Sequence, residues 1–416
     1  MKLKHIRPLA LSLLLLFTLL VGPVPLPAQA AAAPARFEKE ILAFEAADKL
    51  HSPPTNGTVF IGASNIRRWA TLTNDLRSLK AINRGFGGSQ IADAVQFAER
   101  IVIPYAPKTV FLNAGGNDLH SGKTPEQVFA DYRAFVTKVR AALPEVRINF
   151  LSIPPSPSRW AEVEQVRAAN KLIEDFARAD AKLGFINTFP HMLGEDGKPR
   201  PELYVADNLH ASPECYAMWV SLIKWDSALR GFVSRDQTNP PPANPVLFIG
   251  SSSIVKWTTL AADFPEHKVI NRGFGGSELG DSANLVHHLV LPLKPSRIVV
   301  YAGGNDINAG KTPEQVFAAF QTFVDKVHAR LPATPIAYIS IAPNPARWAQ
   351  VEKVKKANQL IADYIQSRPK LTFINAFPHM LGEDGLPKPD IFVADRLHMN
   401  ANGYALWTPL VRAALK

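Results

Sequence analysis

Short apolar runs punctuate the chain, and longer stretches between them repeat an apolar residue every three to four positions. Residues 59–62, 81–83, 109–113, 148–153 and 185–187 are the short runs, and their length predicts strands. Residues 91–103, 125–143 and 159–183 carry the longer periodicity, which predicts amphipathic helices. Thr124 and Pro125 supply an N-cap and a proline at the first helical position, and Ser212 and Pro213 start a last helix the same way. Strands alternating with helices of this length imply βαβ units and a parallel sheet covered on both faces. Ligands bind such sheets beyond the carboxyl ends of their strands.

The whole pattern occurs twice. Phe60-Ile61-Gly62-Ala63-Ser64 returns as Phe248-Ile249-Gly250-Ser251-Ser252, and Asn83-Arg84-Gly85-Phe86-Gly87-Gly88-Ser89 returns unchanged at 271–277. Gly115-Gly116-Asn117-Asp118 returns at 303–306. Each match lies 188 residues further on, from Ser64 to Ser252 and from His210 to His398 alike, so the chain is a duplication. The same offset puts Pro241-Pro242 on Pro53-Pro54 and Trp225 on Phe37. The proline run is therefore a loop inside each repeat, not a linker. The repeats run from 37 to 224 and from 225 to 416, with the last helix of one meeting the first helix of the other. Gly231 leaves room for a bend there.

The 416 residues suit two domains, with ordinary hydrophobic (47%) and charged (20%) content. A net charge of +10 fits either a soluble basic protein or one drawn to anionic cell-wall or outer-membrane polymers. Lys and Arg are dispersed, so no nucleic-acid partner is expected. Lys2, Lys4 and Arg7 precede an apolar run at 9–21, followed by three prolines and Ala28-Gln29-Ala30. This predicts a signal peptide at 1–30 and a secreted or periplasmic protein without stable membrane insertion; an uncleaved anchor is the alternative. Cys215 is the only cysteine, so stability rests on packing rather than on a disulfide. The oligomeric state is not legible.

A serine hydroxyl needs a base to become nucleophilic. In the two copies of the first motif only Ser64 and Ser252 match as serine, each just after the first strand. The base is a His held by a carboxylate. Asp207 and His210, like Asp395 and His398, share an Asp-x-x-His spacing that a turn can close. His191 and His379 are repeated rivals without that carboxylate. Donors for an oxyanion are offered by the backbone of Gly88 and Gly276, by the side chains of Asn117 and Asn305, and by the N–H of each serine. The pair His287-His288 lacks further ligands at metal spacing and matches Glu99-Arg100 in repeat one. No metal or organic cofactor is expected.

The four blocks FxGxSxxxxW, NRGFGGS, GGND and DxxH, in this order and twice over, resemble those of the SGNH/GDSL hydrolase superfamily of esterases and lipases. The resemblance implies two tandem flavodoxin-like three-layer α/β/α sandwiches, each with a five-stranded parallel sheet. It implies a Ser-His-Asp site at Ser64, His210 and Asp207 with Gly88 and Asn117 as oxyanion donors. In repeat two the same roles fall to Ser252, His398, Asp395, Gly276 and Asn305. Ala63 and Ser251 stand where the family's name-giving Asp is found. Cys215 stands where the family, and Gly403 here, has glycine. If that position needs an unusual backbone, Cys215 shifts His210 and site one is the weaker.

Trp69, Trp257, Arg159 and Arg347 are repeated near the expected active face, as substrate contacts or as core and cap residues. The function read from these features is a secreted serine esterase acting on small acyl esters, with O-acetyl groups on a polysaccharide as a candidate substrate. The alternatives are acyl transfer to a sugar hydroxyl, or one repeat serving as a non-catalytic glycan-binding module.

Overall fold

The computed structural model describes residues 36–416; the expected signal peptide lies outside them. None of the described helices is long and apolar enough to cross a membrane.

Two five-stranded sheets form, and every strand pairing in them is parallel. In the first, β1 (Thr58–Gly62), β2 (Ala81–Gly85), β3 (Thr109–Asn113), β4 (Arg147–Leu151) and β5 (Leu183–Ile186) lie in the order β2-β1-β3-β4-β5. The second holds β6 (Val246–Gly250), β7 (Val269–Gly273), β8 (Arg297–Tyr301), β9 (Ile336–Ile339) and β10 (Leu371–Ile374) in the corresponding order. The chain leaves β1 for one neighbour, then crosses to the other. Gly62 pairs with Gly85 on one side and with Asn113 on the other. This topological switch point opens a crevice at the carboxyl end of β1.

Both faces of each sheet are buried, which explains the near-continuous apolar strands. In the first sheet Val59, Ile61, Val110 and Leu112 pack into the core of repeat one. Phe60, Phe111, Leu151 and Ile186 belong to a second core that continues through Trp219, Leu222 and Leu229 to Leu247 and Ile249 of the other sheet. Each such side chain contributes roughly 1.5–3 kcal/mol on burial.

Several element ends differ from expectation. The fourth strand stops at Leu151, because the N–H of Ile153 turns to the Oδ1 of Asn170 (2.8 Å) instead of a strand. The helix expected over 159–183 is a short 3-10 segment, Pro157–Glu162, kinked at Arg159 (φ −121°, ψ 27°), followed by the helix Val163–Arg178. The two helices expected to meet at 224 and 225 are one helix, Pro213–Thr238. Buried Leu222, Leu229 and Phe232 anchor it, so Gly231 does not break it.

Candidate active site

Gly62 ends β1 at φ +155°, and a Cβ there would fall 2.1 Å from the carbonyl oxygen of Asn113. Only glycine lets β1 run this close to β3 and then turn. The turn delivers Ser64 to the start of the short helix Ser64–Arg68, where its N–H has no acceptor within the helix. Asn83 fastens that helix to β2: its Nδ2 donates to the carbonyl of Ile66 (2.6 Å) while its Oδ1 accepts the N–H of Gly85 (2.8 Å). The hydroxyl of Tyr216 donates to the carbonyl of Asn65 (2.8 Å). Gly250, Ser252, Asn271 and Tyr404 repeat these relations in the second half.

The Asp-x-x-His turn closes as its spacing implies. Oδ1 of Asp207 accepts the backbone N–H groups of Leu209 (3.0 Å) and His210 (2.9 Å), and Oδ2 lies 2.6 Å from Nδ1 of His210. Nε2 of the same ring stands 2.9 Å from Oγ of Ser64. In repeat two the N–H contacts of Asp395 are both 2.9 Å, Nδ1 of His398 is 2.6 Å from Oδ2, and Nε2 is 2.9 Å from Oγ of Ser252. Burial would raise the Asp207 carboxyl, but hydrogen bonds from the backbone and ring of His210 and from Leu209 outweigh it and hold it well below the usual range. The Asp395 carboxyl is lowered first by the ring of His398, then by the backbone N–H groups. Arg68 adds a contact at 3.3 Å to Asp207; its counterpart in repeat two is Lys256.

Gly88 adopts φ +83° and Gly276 φ +88°, a conformation that favours glycine whatever the space around it. Asn117 reaches over this loop, its Nδ2 donating to the carbonyl of Ser89 at 3.0 Å, and Asn305 does the same to Ser277 at 3.0 Å. In repeat two a Cβ on Gly275 would sit 3.9 Å from Cβ of Ser252, so the loop lies against the serine. Asp118 is fully buried and accepts the N–H of Ile91 (3.2 Å) and a proton of Lys123 (2.8 Å), tying the block that carries Asn117 to the helix after the Gly88 loop.

Three expectations are corrected. Trp69 and Trp257 are 1% exposed, and their indole N–H groups donate to Asp75 (2.8 Å) and Asp263 (2.6 Å); they are core residues. Cys215 does not displace His210, since the His–Ser distance is 2.9 Å in both repeats. Gly403 lies in the helix Ala401–Ala414 and is not among the positive-φ glycines; it is required by space, because a Cβ would meet the Ile391 carbonyl and Met399 at 2.7 Å. His191 packs on His288 of the other repeat (ring centroids 4.5 Å apart), leaving His210 as the imidazole at Ser64.

A cleft at Ser64 and His210 is also lined by Asn65, Asn113, Ile153 and Val166. Arg159 also lines it, but its Nη1 donates to Oδ1 of Asn117 and to the carbonyl of Gly116, both at 3.1 Å. Burial lowers the pKa of this guanidinium. Sequence reasoning missed the roles of Asn83, Tyr216 and Asn113. The first two carry a signal, exact repetition at the common offset. Asn113 carries the opposite signal, a departure from the repeat to Tyr301. Among the described residues no three His, Cys, Asp or Glu side chains are grouped to hold a metal ion.

Residues 55–218 and 249–406 match the model of the GDSL-like Lipase/Acylhydrolase family. No curated protein matches the chain. Among solved structures, a GDSL-like lipase from Bacteroides thetaiotaomicron VPI-5482 is 20% identical, covering 45% of this chain and 96% of its own, with a TM-score of 0.40. A carbohydrate esterase family 3 protein from Talaromyces cellulolyticus is 16% identical over 41% of this chain and 95% of its own, with a TM-score of 0.35. A variant of an acetyl-xylooligosaccharide esterase from Geobacillus Stearmophilus is 14% identical over 42% and 94%, with a TM-score of 0.35.

Proposed function

The chain belongs to the GDSL-like lipase/acylhydrolase family, and from that premise we propose that it is a secreted serine esterase with a working site in each repeat, 37–224 and 225–416. The observation that carries the reading is the 2.9 Å approach of His Nε2 to Ser Oγ, made twice. Ser64 Oγ attacks the ester carbonyl carbon as Nε2 of His210 takes its proton. Asp207 holds Nδ1–H and stabilises the imidazolium. The negative charge that develops on the carbonyl oxygen is met by the N–H groups of Ser64 and Gly88 and by Nδ2 of Asn117. The imidazolium then protonates the departing alcohol, leaving an acyl-enzyme. Water attacks that ester as His210 takes its proton, and the imidazolium passes the proton to the departing Oγ of Ser64, releasing the carboxylic acid and the free serine.

The substrate class is a small acyl ester, with an O-acetyl group on a polysaccharide hydroxyl as the leading case. The net charge of +10, or +7 once Lys2, Lys4 and Arg7 leave with the segment 1–30, favours an anionic polymer by long-range attraction. Equal geometry in the two repeats supports two catalytic units over one unit and a binding module. Hydrolysis of p-nitrophenyl acetate by Ser64→Ala and Ser252→Ala tests this: each variant retains turnover and the double variant loses it. Full activity in the double variant would overturn the reading. Acyl transfer would appear as acylated product when acceptor sugars are added.

A further inference from the structure

The two sites have the same reacting groups and different space behind them. In repeat one the cleft is continuous from Ser64 and His210 past Asn65 and Asn113 to Pro154 and Val163. In repeat two the corresponding hollow is lined by Gly304, Ile341, Ala342, Arg347 and Val351, and neither Ser252 nor His398 borders it. What fills the missing part is Tyr301, at the end of β8 where Asn113 ends β3. Its ring packs on Trp407, centroids 4.7 Å apart. Its hydroxyl accepts the N–H of Ala342 at 3.4 Å.

Three differences between the repeats act together here. Position 113 is Asn against Tyr301, position 65 is Asn against Ser253, and position 154 is Pro against Ala342. Pro154 has no N–H to offer a tyrosine hydroxyl. Asn113 instead donates to the carbonyls of Leu151 (3.1 Å) and Ser152 (3.2 Å), which folds its side chain back and leaves the passage open. Ile153 and Val166, both buried, line the same cleft. Such a recess admits the free end of an acyl group. A polymeric alcohol has to remain outside it.

On the esterase reading, we infer that the two sites differ in acyl range, with Asn113 and Tyr301 as the determining pair. Site one accepts acyl groups from acetyl up to four carbons and longer, and site two is confined to acetyl.

The test uses the full chain with one nucleophile removed at a time, across p-nitrophenyl acetate, butyrate and hexanoate. With Ser252→Ala, leaving site one, kcat/KM for butyrate stays within about 10-fold of that for acetate. With Ser64→Ala, leaving site two, it falls by about 100-fold, the range expected for methylenes that do not fit a pocket. Adding Tyr301→Asn to Ser64→Ala restores butyrate, and adding Asn113→Tyr to Ser252→Ala removes it. Equal chain-length profiles in the two single-nucleophile chains overturn the inference, and that comparison needs neither exchange variant to fold. If neither chain hydrolyses even the acetate, the esterase reading itself fails.

Discussion

Arg159 donates to the side-chain oxygen of Asn117 at 3.1 Å, and Arg347 does the same to Asn305 at 3.0 Å. An amide that accepts on one atom has its other end defined, so Nδ2 is turned toward the Gly88 loop. One N–H is used by Ser89 and the second is left for an oxyanion. Arg159 is thus a positioning residue. Losing an oxyanion donor outright costs about 10²–10³-fold in kcat, so Arg159→Lys, which gives up the planar guanidinium, is expected to lower kcat by about 10-fold with little change in KM. Measured in the Ser252→Ala chain, it adds nothing further once Asn117→Ala is present. An equal loss in both backgrounds would make Arg159 independent of Asn117.

Asp207 and Asp395 each hold one imidazole through Nδ1 and two backbone N–H groups. Replacement by Asn keeps the shape but favours the wrong tautomer. Asp207→Asn with Ser252→Ala, and Asp395→Asn with Ser64→Ala, are expected to lose about 10³–10⁴-fold in kcat. Steady-state kinetics on p-nitrophenyl acetate reads this, and a loss below about 10-fold would deny the carboxylates their role.

Arg68 touches Asp207 from a position half open to solvent. Such a pair contributes roughly 0–1 kcal/mol. Arg68→Ala is expected to change site-one kcat/KM by less than about 5-fold, checked in the Ser252→Ala chain.

The contact between the repeats is poised against acid. His191 is pushed down to about 3 by burial, then by His288, Arg200 and His287. His287 is pushed to about 4 by burial, then by Arg200 and Arg330, and His288 to about 4 by burial, then by Arg272. These rings are neutral when folded and take up protons near 6.5 when unfolded. Their contribution is therefore complete above about pH 6.5 and is lost as pH falls toward 4. Thermal unfolding followed from pH 7 to 4 is expected to show a falling Tm, with a shallower fall in His288→Gln. An unaltered slope in His288→Gln would contradict this.

Gly403→Ala puts a methyl group 2.7 Å from the Ile391 carbonyl and from Met399. Overpacking of this kind costs typically about 1–3 kcal/mol. A lowered Tm with site-one activity intact is the expected result, measured by calorimetry and by turnover of the Ser252→Ala chain.

Most of what positions the site was legible because the constraints are local. Strands buried on both faces declare themselves as apolar runs, and Gly62 and Gly88 mark backbone that other residues resist. The DxxH turn is closed by hydrogen bonds within four residues. What was not legible depends on partners far along the chain. Arg159 meets Asn117 across 42 positions, and nothing near Arg159 says so. Trp69 sits beside the nucleophile in sequence, yet its ring turns inward, where Asp75 offers a half-buried acceptor for the indole N–H. Asn113 and Tyr301 looked like ordinary strand ends, and only the sheet register puts them behind the serines.

The central claim is that both serines are activated by their own histidine. Intact-mass measurement after reaction with a fluorophosphonate tests it most directly. Two phosphonyl groups per chain are expected, one in Ser64→Ala, one in Ser252→Ala, and none when His210→Ala and His398→Ala are combined. Labelling that leaves Ser64 and Ser252 unmodified, or that persists without the two imidazoles, would contradict it.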